Sequence, residues 1–168
     1  MADAFTTYSS PVGILDIHAN EYALRAVLFE KRTKHQEQWI PQHIQHQNKI
    51  IETCCRQLDE YFTGAKKTFD LPLEQESTPF QQKVCNELLK IQYGKTISYL
   101  ELSKRIGDVK AIRAVGTTNG KNQIAVIVPC HRVIGSNGEL TGYAGELWRK
   151  KWLLDHESKY ANGLQTLF

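Results

Sequence analysis

The hydrophobic pattern of this 168-residue chain changes across residues 65–77, AKKTFDLPLEQES. Before that segment, residues 5–30 alternate apolar and polar side chains around turn signals, which predicts a small antiparallel sheet of three strands. Residues 48–62 then place apolar side chains at helical spacing, and helical spacing dominates beyond the segment. We therefore expect an α+β fold, with an N-terminal α/β lobe at 1–76 and a mainly helical lobe at 77–168.

The C-terminal lobe begins with helix signals. Thr78 is a favourable N-cap and Pro79 suits a first turn, so we predict a helix that runs from there to Gly94. Ser98 predicts the next N-cap, and DVKAIRAVGTTNG at 108–120 predicts a further helix beyond a glycine-containing turn. Two short helices around such a turn have the shape of a helix-turn-helix, although ordinary packed helix pairs show the same pattern.

The second helix of that pair has a surface of small side chains. Ala111, Ala114 and Gly116 leave it bare, while Lys110 and Arg113 stand on it. One interpretation is close helix–helix packing. The other is a helix thin enough to approach a nucleic-acid groove. The net charge of +3 permits a polyanionic partner without requiring one.

The region after this helix leads to a cysteine. QIAVIV at 123–128 predicts a short buried strand or extended segment that runs directly into Pro129 and Cys130. A glycine-rich loop with hairpin character follows over 135–146, and LWRKKWLLDHE at 147–157 predicts the last helix.

The cysteines admit several uses: core packing, a disulfide, a metal site or a nucleophile. No C-x-x-C pair occurs, and His43 and His46 lack a cysteine at zinc-finger spacing, so we expect no metal site. Packing explains the three cysteines that fall within predicted helices, namely Cys54, Cys55 and Cys85. Because no apolar run approaches about 18 residues and no secretion signal is evident, we expect a cytoplasmic protein without membrane association, its thiols reduced.

Cys130 differs from the other three because it lies between Pro129 and His131 at the end of an apolar run. A free thiol has a pKa of about 8.5, so a nucleophilic cysteine needs a base, and the base needs a group that orients it. His131 and Glu157 could supply these groups. Neighbours in an extended chain point to opposite faces, so Cys130 would reach His131 only through a turn, which Pro129 favours, or through a bridging water. From spacing alone, a nucleophile and a buried packing residue are equally open.

A series of motifs runs over roughly residues 78–157: TPFQQKV, ISYLELSKRIG, KAIRAVGTTNGKNQIAVIVPC, VPCHRVIG, TGYAGE and RKKWLLDHE. In this order and spacing they resemble the O6-alkylguanine-DNA alkyltransferases, the methylated-DNA–protein-cysteine methyltransferases. The resemblance is to the stand-alone form, without an attached transcription-activator domain. It implies a ribonuclease-H-like N-terminal lobe and no cofactor.

The resemblance implies a DNA-repair reaction in which each molecule reacts once. Cys130 would attack the alkyl carbon of O6-alkylguanine, and less readily of O4-alkylthymine, in an SN2 displacement and keep the alkyl group as a thioether. His131 would take the thiol proton through a water, and Glu157 would hold the histidine. Asn122 would brace the segment that carries the cysteine, and Tyr99 would give a proton to the departing guanine.

The resemblance also implies a monomer that binds double-stranded DNA through a helix-turn-helix in the narrow minor groove and flips the damaged base out of the stack. Arg113 would fill the space that the base leaves. The residues implied in DNA binding lie on or beside the second helix: Arg113, Ala111, Ala114, Gly116 and Thr117. The residues implied in the base pocket lie near the cysteine or in the glycine-rich loop: Tyr143, Ala144, Val133 and Pro129.

Some positions depart from common family patterns. Cys85 stands where many relatives carry an aromatic residue, Gln123 where proline is frequent, and Ala144 where some relatives have serine. Glu146 lies near the expected pocket mouth, where it could affect which bulky alkyl groups enter.

Three alternative functions follow from parts of the same pattern. A non-catalytic alkyltransferase-like binder would lack Cys130. A helix-turn-helix transcription regulator would carry bulky base-reading side chains in place of Ala111 and Ala114. A cysteine hydrolase would carry one of the local signatures of cysteine proteases, and the chain has none.

Overall fold

The computed structural model describes residues 4–30 and 48–162. The chain divides into two compact units, residues 1–75 and 76–168. The first contains a sheet and a helix, and the second contains mainly helices, which confirms the expected α+β class.

The first unit is built on an antiparallel meander in the order β1-β2-β3, as the alternating pattern predicts. Its strands are β1 Ala4–Ser10, β2 Gly13–Ala19 and β3 Leu24–Phe29. Alternation along β2 buries one face of the sheet. In β3 a register shift opposite His18 and Ala19 interrupts the alternation, so its two buried residues are three apart. The fully buried side chains of that face are Leu15, Ile17, Ala19, Leu24 and Val27.

One helix, α1 Lys49–Phe62, packs on this sheet. Asn48 caps it, because its Oδ1 accepts from Ile50 N–H at 2.7 Å. Full burial of a large apolar side chain stabilises the fold by roughly 1.5–3 kcal/mol. The fully buried residues of the helix are Cys54, Leu58 and Tyr61. Cys54 is thus the packing residue that its spacing predicts.

Within its described residues, the second unit contains α2 Pro79–Leu89, α3 Tyr99–Arg105, α4 Ile112–Gly120 and α5 Leu147–Ala161. Two very short strands, β4 Ile97–Ser98 and β5 Val133–Ile134, pair in parallel. Neither is predicted by the sequence, because two residues show no periodicity. No helix in the described ranges has the length and apolarity to cross a membrane.

The predicted start of α2 is confirmed. Thr78 Oγ1 accepts from Gln81 N–H at 3.2 Å, and Gln81 Oε1 accepts from Thr78 N–H at 3.0 Å, which completes a capping box. The predicted end at Gly94 is wrong, because α2 ends at Leu89. Gly94 lies in the following turn at φ +75°, where a Cβ would collide with Ala161. The glycine therefore serves a close approach of α5 and not helix termination.

Residues 123–128 do not form the strand or extended segment that the sequence predicts, although the apolar side chains from Ile124 to Val128 are buried. They fold into consecutive turns, with Val128 N–H donating to Ile124 O at 3.0 Å. Val126 adopts a φ of +70°, which a β-branched residue rarely does. Side-chain hydrogen bonds from Asn122 replace the strand ladder here, so tertiary contacts override β propensity.

Candidate active site

Cys130 opens a 3₁₀ turn, Cys130–Arg132, that follows Pro129 directly. Its N–H donates to Val128 O at 2.8 Å, and its carbonyl accepts from Val133 N–H across the turn. Cys130 is 4% exposed. The turn that Pro129 favours therefore exists, and the cysteine does not alternate with its neighbour along an extended strand.

Asn122 holds this region through its side-chain amide. Its Nδ2 lies 3.1 Å from Cys130 Sγ, 2.9 Å from Val128 O and 3.2 Å from Ile124 O. Its Oδ1 accepts from Ile124 N–H at 3.1 Å. One side chain thus satisfies the backbone of a buried segment and also donates to the sulfur, which favours the thiolate form.

Asn119 supplies a second amide contact to the cysteine. It lies in the last turn of α4, is 1% exposed, and donates from Nδ2 to Cys130 O at 3.2 Å. No local pattern signals this role, because asparagine before glycine at a helix end is typical of a helix-terminating turn.

His131 and Arg132 share one buried carboxylate, that of Glu157 on α5. His131 Nε2 lies 2.7 Å from Glu157 Oε1. Arg132 donates to both carboxylate oxygens at 2.9 Å, and its Nη1 donates to Ile91 O at 2.6 Å. Burial alone would raise the pKa of Glu157, but His131 and the bidentate Arg132 outweigh it and hold that pKa well below its usual range. Glu157 is therefore an ionised carboxylate that fixes the histidine ring.

The carboxylate also determines which histidine nitrogen can accept a proton. A carboxylate accepts hydrogen bonds only, so His131 Nε2 carries the hydrogen that faces Glu157. In a neutral ring, Nδ1 then holds the free lone pair. That atom is buried and has no hydrogen-bond partner among the residues that the structure describes. His131 can therefore act as a base through Nδ1, next to the cysteine.

Burial raises the pKa of the Cys130 thiol to about 11, although the hydrogen bond from Asn122 and the charge of Lys150 act in the opposite direction. The thiol is thus neutral at pH 7 in the unbound protein. A nucleophilic reaction at this sulfur requires a base that removes its proton as the reaction proceeds.

Lys150 on α5 is completely buried beside Tyr99. Its Nζ donates to Thr141 O at 2.8 Å and lies 3.4 Å from Tyr99 Oη. Tyr99 Oη in turn donates to Thr141 O at 3.0 Å. Burial lowers the pKa of Lys150 to about 8, with the nearby Cys130 acting to raise it. The arrangement places a cation and a phenol together close to the cysteine.

The glycine-rich loop leads past Tyr99 to Tyr143. Gly142 adopts a φ of +52°, and a Cβ there would lie 3.6 Å from Tyr99 Oη. Burial, with smaller contributions from Cys130 and Glu157, raises the pKa of Tyr143. The other residues predicted for the pocket are Val133 and Pro129, both buried, and Ala144, which is exposed.

The residues predicted to contact DNA lie on or beside α4. Three of them are exposed, namely Arg113, Ala114 and Thr117, whereas Ala111 and Gly116 are half-buried. The exposed side chains of α4 are therefore one long cation, the small residues and Ile112 at the start of the helix. The last turn of the helix reaches Cys130 through Asn119.

No group of three or more histidine, cysteine, aspartate or glutamate residues in the described ranges could hold a metal ion. His43 and His46, the two histidines without a cysteine at zinc-finger spacing, lie outside those ranges. All four cysteines carry free thiols.

Comparison with known families accounts for nearly the whole chain. A model described as 6-O-methylguanine DNA methyltransferase, DNA binding domain, matches residues 79–159. A second, described as 6-O-methylguanine DNA methyltransferase, ribonuclease-like domain, matches residues 4–75. The chain belongs to the 6-O-methylguanine DNA methyltransferase family.

Members of this family from archaea and bacteria align along most of the chain. The methylated-DNA–protein-cysteine methyltransferase of Methanosarcina acetivorans is 44% identical over 153 residues, which cover 91% of this chain and 97% of the relative. The constitutive enzyme of Bacillus subtilis is 42% identical, covering 84% and 86%. A crystal structure of Mycobacterium tuberculosis O6-methylguanine methyltransferase is 39% identical, with a TM-score of 0.81 over 99% of both chains. The M. tuberculosis protein has also been solved in complex with DNA, at 41% identity and a TM-score of 0.81 over 98% of both chains.

In this member of the 6-O-methylguanine DNA methyltransferase family, sequence reasoning misses three contact residues: Asn119, Arg132 and Lys150. Arg132 stands within the PCHRV motif, but the motif alone assigns it no partner. A signal for Lys150 is present, because Lys150, Leu153 and Glu157 share one helix face at spacings of three and four. A lysine on the face that buries a leucine and a carboxylate can itself be buried.

Proposed function

We propose that this chain repairs O6-alkylguanine, and less readily O4-alkylthymine, in double-stranded DNA by moving the alkyl group to Cys130 in a single turnover. The observation that carries the proposal is a buried thiol beside a buried His131–Glu157 pair, with Asn122 donating to the sulfur. Family membership and relatives named methylated-DNA–protein-cysteine methyltransferases support the same reaction. The protein would act as a monomer in the cytoplasm, without a cofactor.

The proposed chemistry begins with removal of the thiol proton. His131 Nδ1 takes this proton through a water while Glu157 holds the imidazolium that forms. Cys130 Sγ then attacks the alkyl carbon from the side opposite O6. A sulfur–carbon bond forms as the carbon–O6 bond breaks, and the guanine leaves with the electron pair.

The departing guanine anion needs a proton, which Tyr99 supplies in this proposal. Lys150 Nζ, 3.4 Å from Tyr99 Oη, stabilises the phenolate that results. The products are an intact guanine and a thioether at Cys130. Because a thioether does not release its alkyl group, the protein is consumed.

DNA recognition in this proposal uses the outer face of α4, with α3 and α4 as the helix-turn-helix. The minor groove is only about 6 Å wide, so Ala111, Ala114 and Gly116 allow the helix to approach where long side chains would not. Thr117 contacts the DNA from the same helix. Arg113 enters the stack where the flipped base was, which offsets part of the unstacking cost of a few kcal/mol.

The extruded base would lie between the loop of Tyr143 and Ala144 and the segment of Pro129 and Val133. Tyr143 provides an aromatic wall for the guanine ring. Ala144 removes the hydroxyl donor that serine supplies in some relatives, so fewer hydrogen bonds hold the base here.

The deciding experiment is intact-mass analysis after incubation with a duplex that contains one O6-methylguanine, using wild type, Cys130→Ala and Cys85→Ala. We expect one added methyl on wild type and on Cys85→Ala, mapping to Cys130 and saturating at one per molecule, and none on Cys130→Ala. Binding to the duplex without any mass change would instead indicate a lesion-binding protein without repair activity.

A further inference from the structure

The buried side chain of Asn119 connects α4, the helix proposed to bind DNA, with Cys130, the proposed nucleophile. It belongs to α4, which carries the exposed Arg113 and Ala114, and it donates to the carbonyl of Cys130 at 3.2 Å. Cys130 O also accepts from Val133 N–H. The main chain of the nucleophile is therefore fixed on one side by its own turn and on the other by α4.

The orientation of the Asn119 amide follows from this contact. A carbonyl oxygen accepts only, so the nitrogen of the amide must face Cys130 O, and Oδ1 occupies the other branch of the same planar group. Because both atoms are bonded to the same carbon, Oδ1 lies within one amide group of the contact between Asn119 and Cys130 O. Oδ1 is buried and finds no hydrogen-bond partner among residues 4–30 and 48–162.

His131, the residue after Cys130, also has a buried polar atom in its side chain. His131 Nδ1 is buried and likewise lacks a partner within the described ranges. Buried polar atoms are nearly always hydrogen-bonded, and ordered water satisfies those that protein groups do not. A single water has two hydrogens to donate, which is the number that these two acceptors, Asn119 Oδ1 and His131 Nδ1, require.

We propose that Asn119 is a positioning residue for alkyl transfer: it holds the Cys130 main chain through Nδ2 and, through Oδ1, orients the water that carries the thiol proton to His131 Nδ1. The water donates one hydrogen to Oδ1 and the other to Nδ1, and accepts from the Cys130 thiol. As the thiol proton moves to the water, the water gives its own hydrogen to Nδ1, leaving thiolate and imidazolium. The inference rests on the proposed function, because it concerns the proton transfer that precedes attack.

The test compares wild type with Asn119→Leu, which removes both amide functions at similar volume, and Asn119→Ser, which restores a donor and an acceptor. Gln57→Leu is the matched control. Gln57 is a buried amide of the first unit, 5% exposed, that donates to the carbonyl of Asp70 and accepts from its N–H. Single-turnover methyl transfer is measured at saturating O6-methylguanine duplex from about pH 6 to 9.5, the range that brackets the ordinary histidine and thiol pKa values. The half-saturating DNA concentration, the melting temperature and the reaction with free O6-benzylguanine are measured alongside.

We expect Asn119→Leu to lower the saturating rate by at least about tenfold, since small misplacements of reacting groups cost up to about 100-fold. The rising limb of its pH profile moves to higher pH, and the half-saturating DNA concentration stays within about twofold of wild type. The reaction with the free base falls by the same factor, because the defect lies at the thiol. Asn119→Ser recovers part of the rate. Gln57→Leu lowers the melting temperature and leaves the rate of methyl transfer unchanged.

A wild-type rate and an unshifted pH profile in Asn119→Leu, with a melting temperature lowered as in Gln57→Leu, would overturn the inference and leave the proposed function intact. A loss of DNA affinity with normal transfer from the free base would overturn it as well, by placing the role of Asn119 at the DNA interface. Absence of methyl transfer in wild type would overturn the proposed function itself.

Discussion

The side-chain amide of Asn122 donates to Cys130 Sγ across 3.1 Å and to Val128 O across 2.9 Å. The same group therefore shapes the turns before the cysteine and stabilises negative charge on the sulfur. Burial acts against that charge and holds the pKa of the thiol at about 11. The thiol is therefore neutral at pH 7, and its proton must be removed as the sulfur attacks a substrate.

Replacing Asn122 with alanine should slow methyl transfer by roughly 100-fold, the order seen when one donor to a developing anion is removed. The pKa of Cys130 should rise further, because burial would act without the opposing hydrogen bond. Alkylation of Cys130 by iodoacetamide as a function of pH measures that shift. Gln123→Ala, which changes an exposed neighbour, serves as the control and should react at the wild-type rate. Equal rates of methyl transfer in the Asn122 and Gln123 variants would show that Asn122 has no role in the reaction.

Methylation of Cys130 should destabilise the protein. Cys130 is 4% exposed and its sulfur already lies within hydrogen-bond distance of Asn122, so an added methyl overpacks the site and displaces that donor. Overpacking of this kind costs about 1–3 kcal/mol. Melting scans of methylated and unmodified protein at equal concentration test the expectation, and an unchanged melting temperature would contradict it.

Lys150→Met should stabilise the protein at pH 7 while slowing the reaction. Burial lowers the pKa of Lys150 from 10.5 to about 8, so the folded state holds a charged ammonium at a cost on the order of 3 kcal/mol, taking about 1.36 kcal/mol per pKa unit. Between pH 8 and 10.5 the unfolded chain binds more protons at Lys150 than the folded chain does. The destabilisation of the wild-type protein by this buried charge therefore becomes smaller as the pH rises. Urea unfolding near neutral pH and again at about pH 9.5 should show a smaller gain for Lys150→Met at the higher pH.

The exposed neighbour gives the control for that experiment. Lys151 pairs with Asp155 at the surface, so Lys151→Met should change the free energy of unfolding by less than about 1 kcal/mol at either pH. A Lys150→Met variant less stable than wild type at pH 7 would mean that Thr141 and Tyr99 compensate the buried charge fully.

Glu157→Gln should strongly destabilise the protein at pH 7, because Arg132 would keep a buried charge without its carboxylate, a loss of about 3–5 kcal/mol. The pKa of Glu157 is lowered on folding, so its contribution is complete above about pH 4.5 and is lost as pH falls below that value. The difference between the variant and wild type should therefore narrow in acid. Chemical unfolding between about pH 3 and 7 measures this, with Glu87→Gln as a control; a difference independent of pH would show that ionisation of Glu157 contributes nothing.

Arg113→Ala should separate base flipping from chemistry. Arg113 is exposed on α4, whereas the hydrogen bond to the sulfur comes from Asn122 and the buried pair consists of His131 and Glu157. Methyl transfer from duplex DNA should fall by roughly tenfold or more, since the vacated stack would be unfilled at a cost of a few kcal/mol. The reaction with free O6-benzylguanine should be unchanged. Arg56→Ala, an exposed arginine of α1, should leave both reactions at wild-type rates, and an equal loss with both substrates would show that Arg113 does not act in flipping.

Local patterns in the chain determine much of the fold. The meander of the first unit, the helix that Asn48 caps and the capping box at Thr78 all depend on neighbours a few residues apart, which the sequence displays directly. The order of motifs around Cys130 likewise indicates the family from the amino-acid sequence alone. These features share short range: each follows from periodicity, from a cap or from a contiguous motif.

Tertiary structure decides the features whose partners are distant in the chain. Residues 123–128 have the composition of a strand, yet Asn122 and the surrounding core fold them into turns. Lys150 shares a helix face with Leu153 and Glu157 in the sequence, but only the fold brings its ammonium to Tyr99 and the carbonyl of Thr141 in the interior. Asn119 has the local pattern of a turn residue, and only the fold brings Cys130 O within reach of its amide. Burial and hydrogen-bond pairing depend on which segments meet in space, and no local pattern in the chain encodes that.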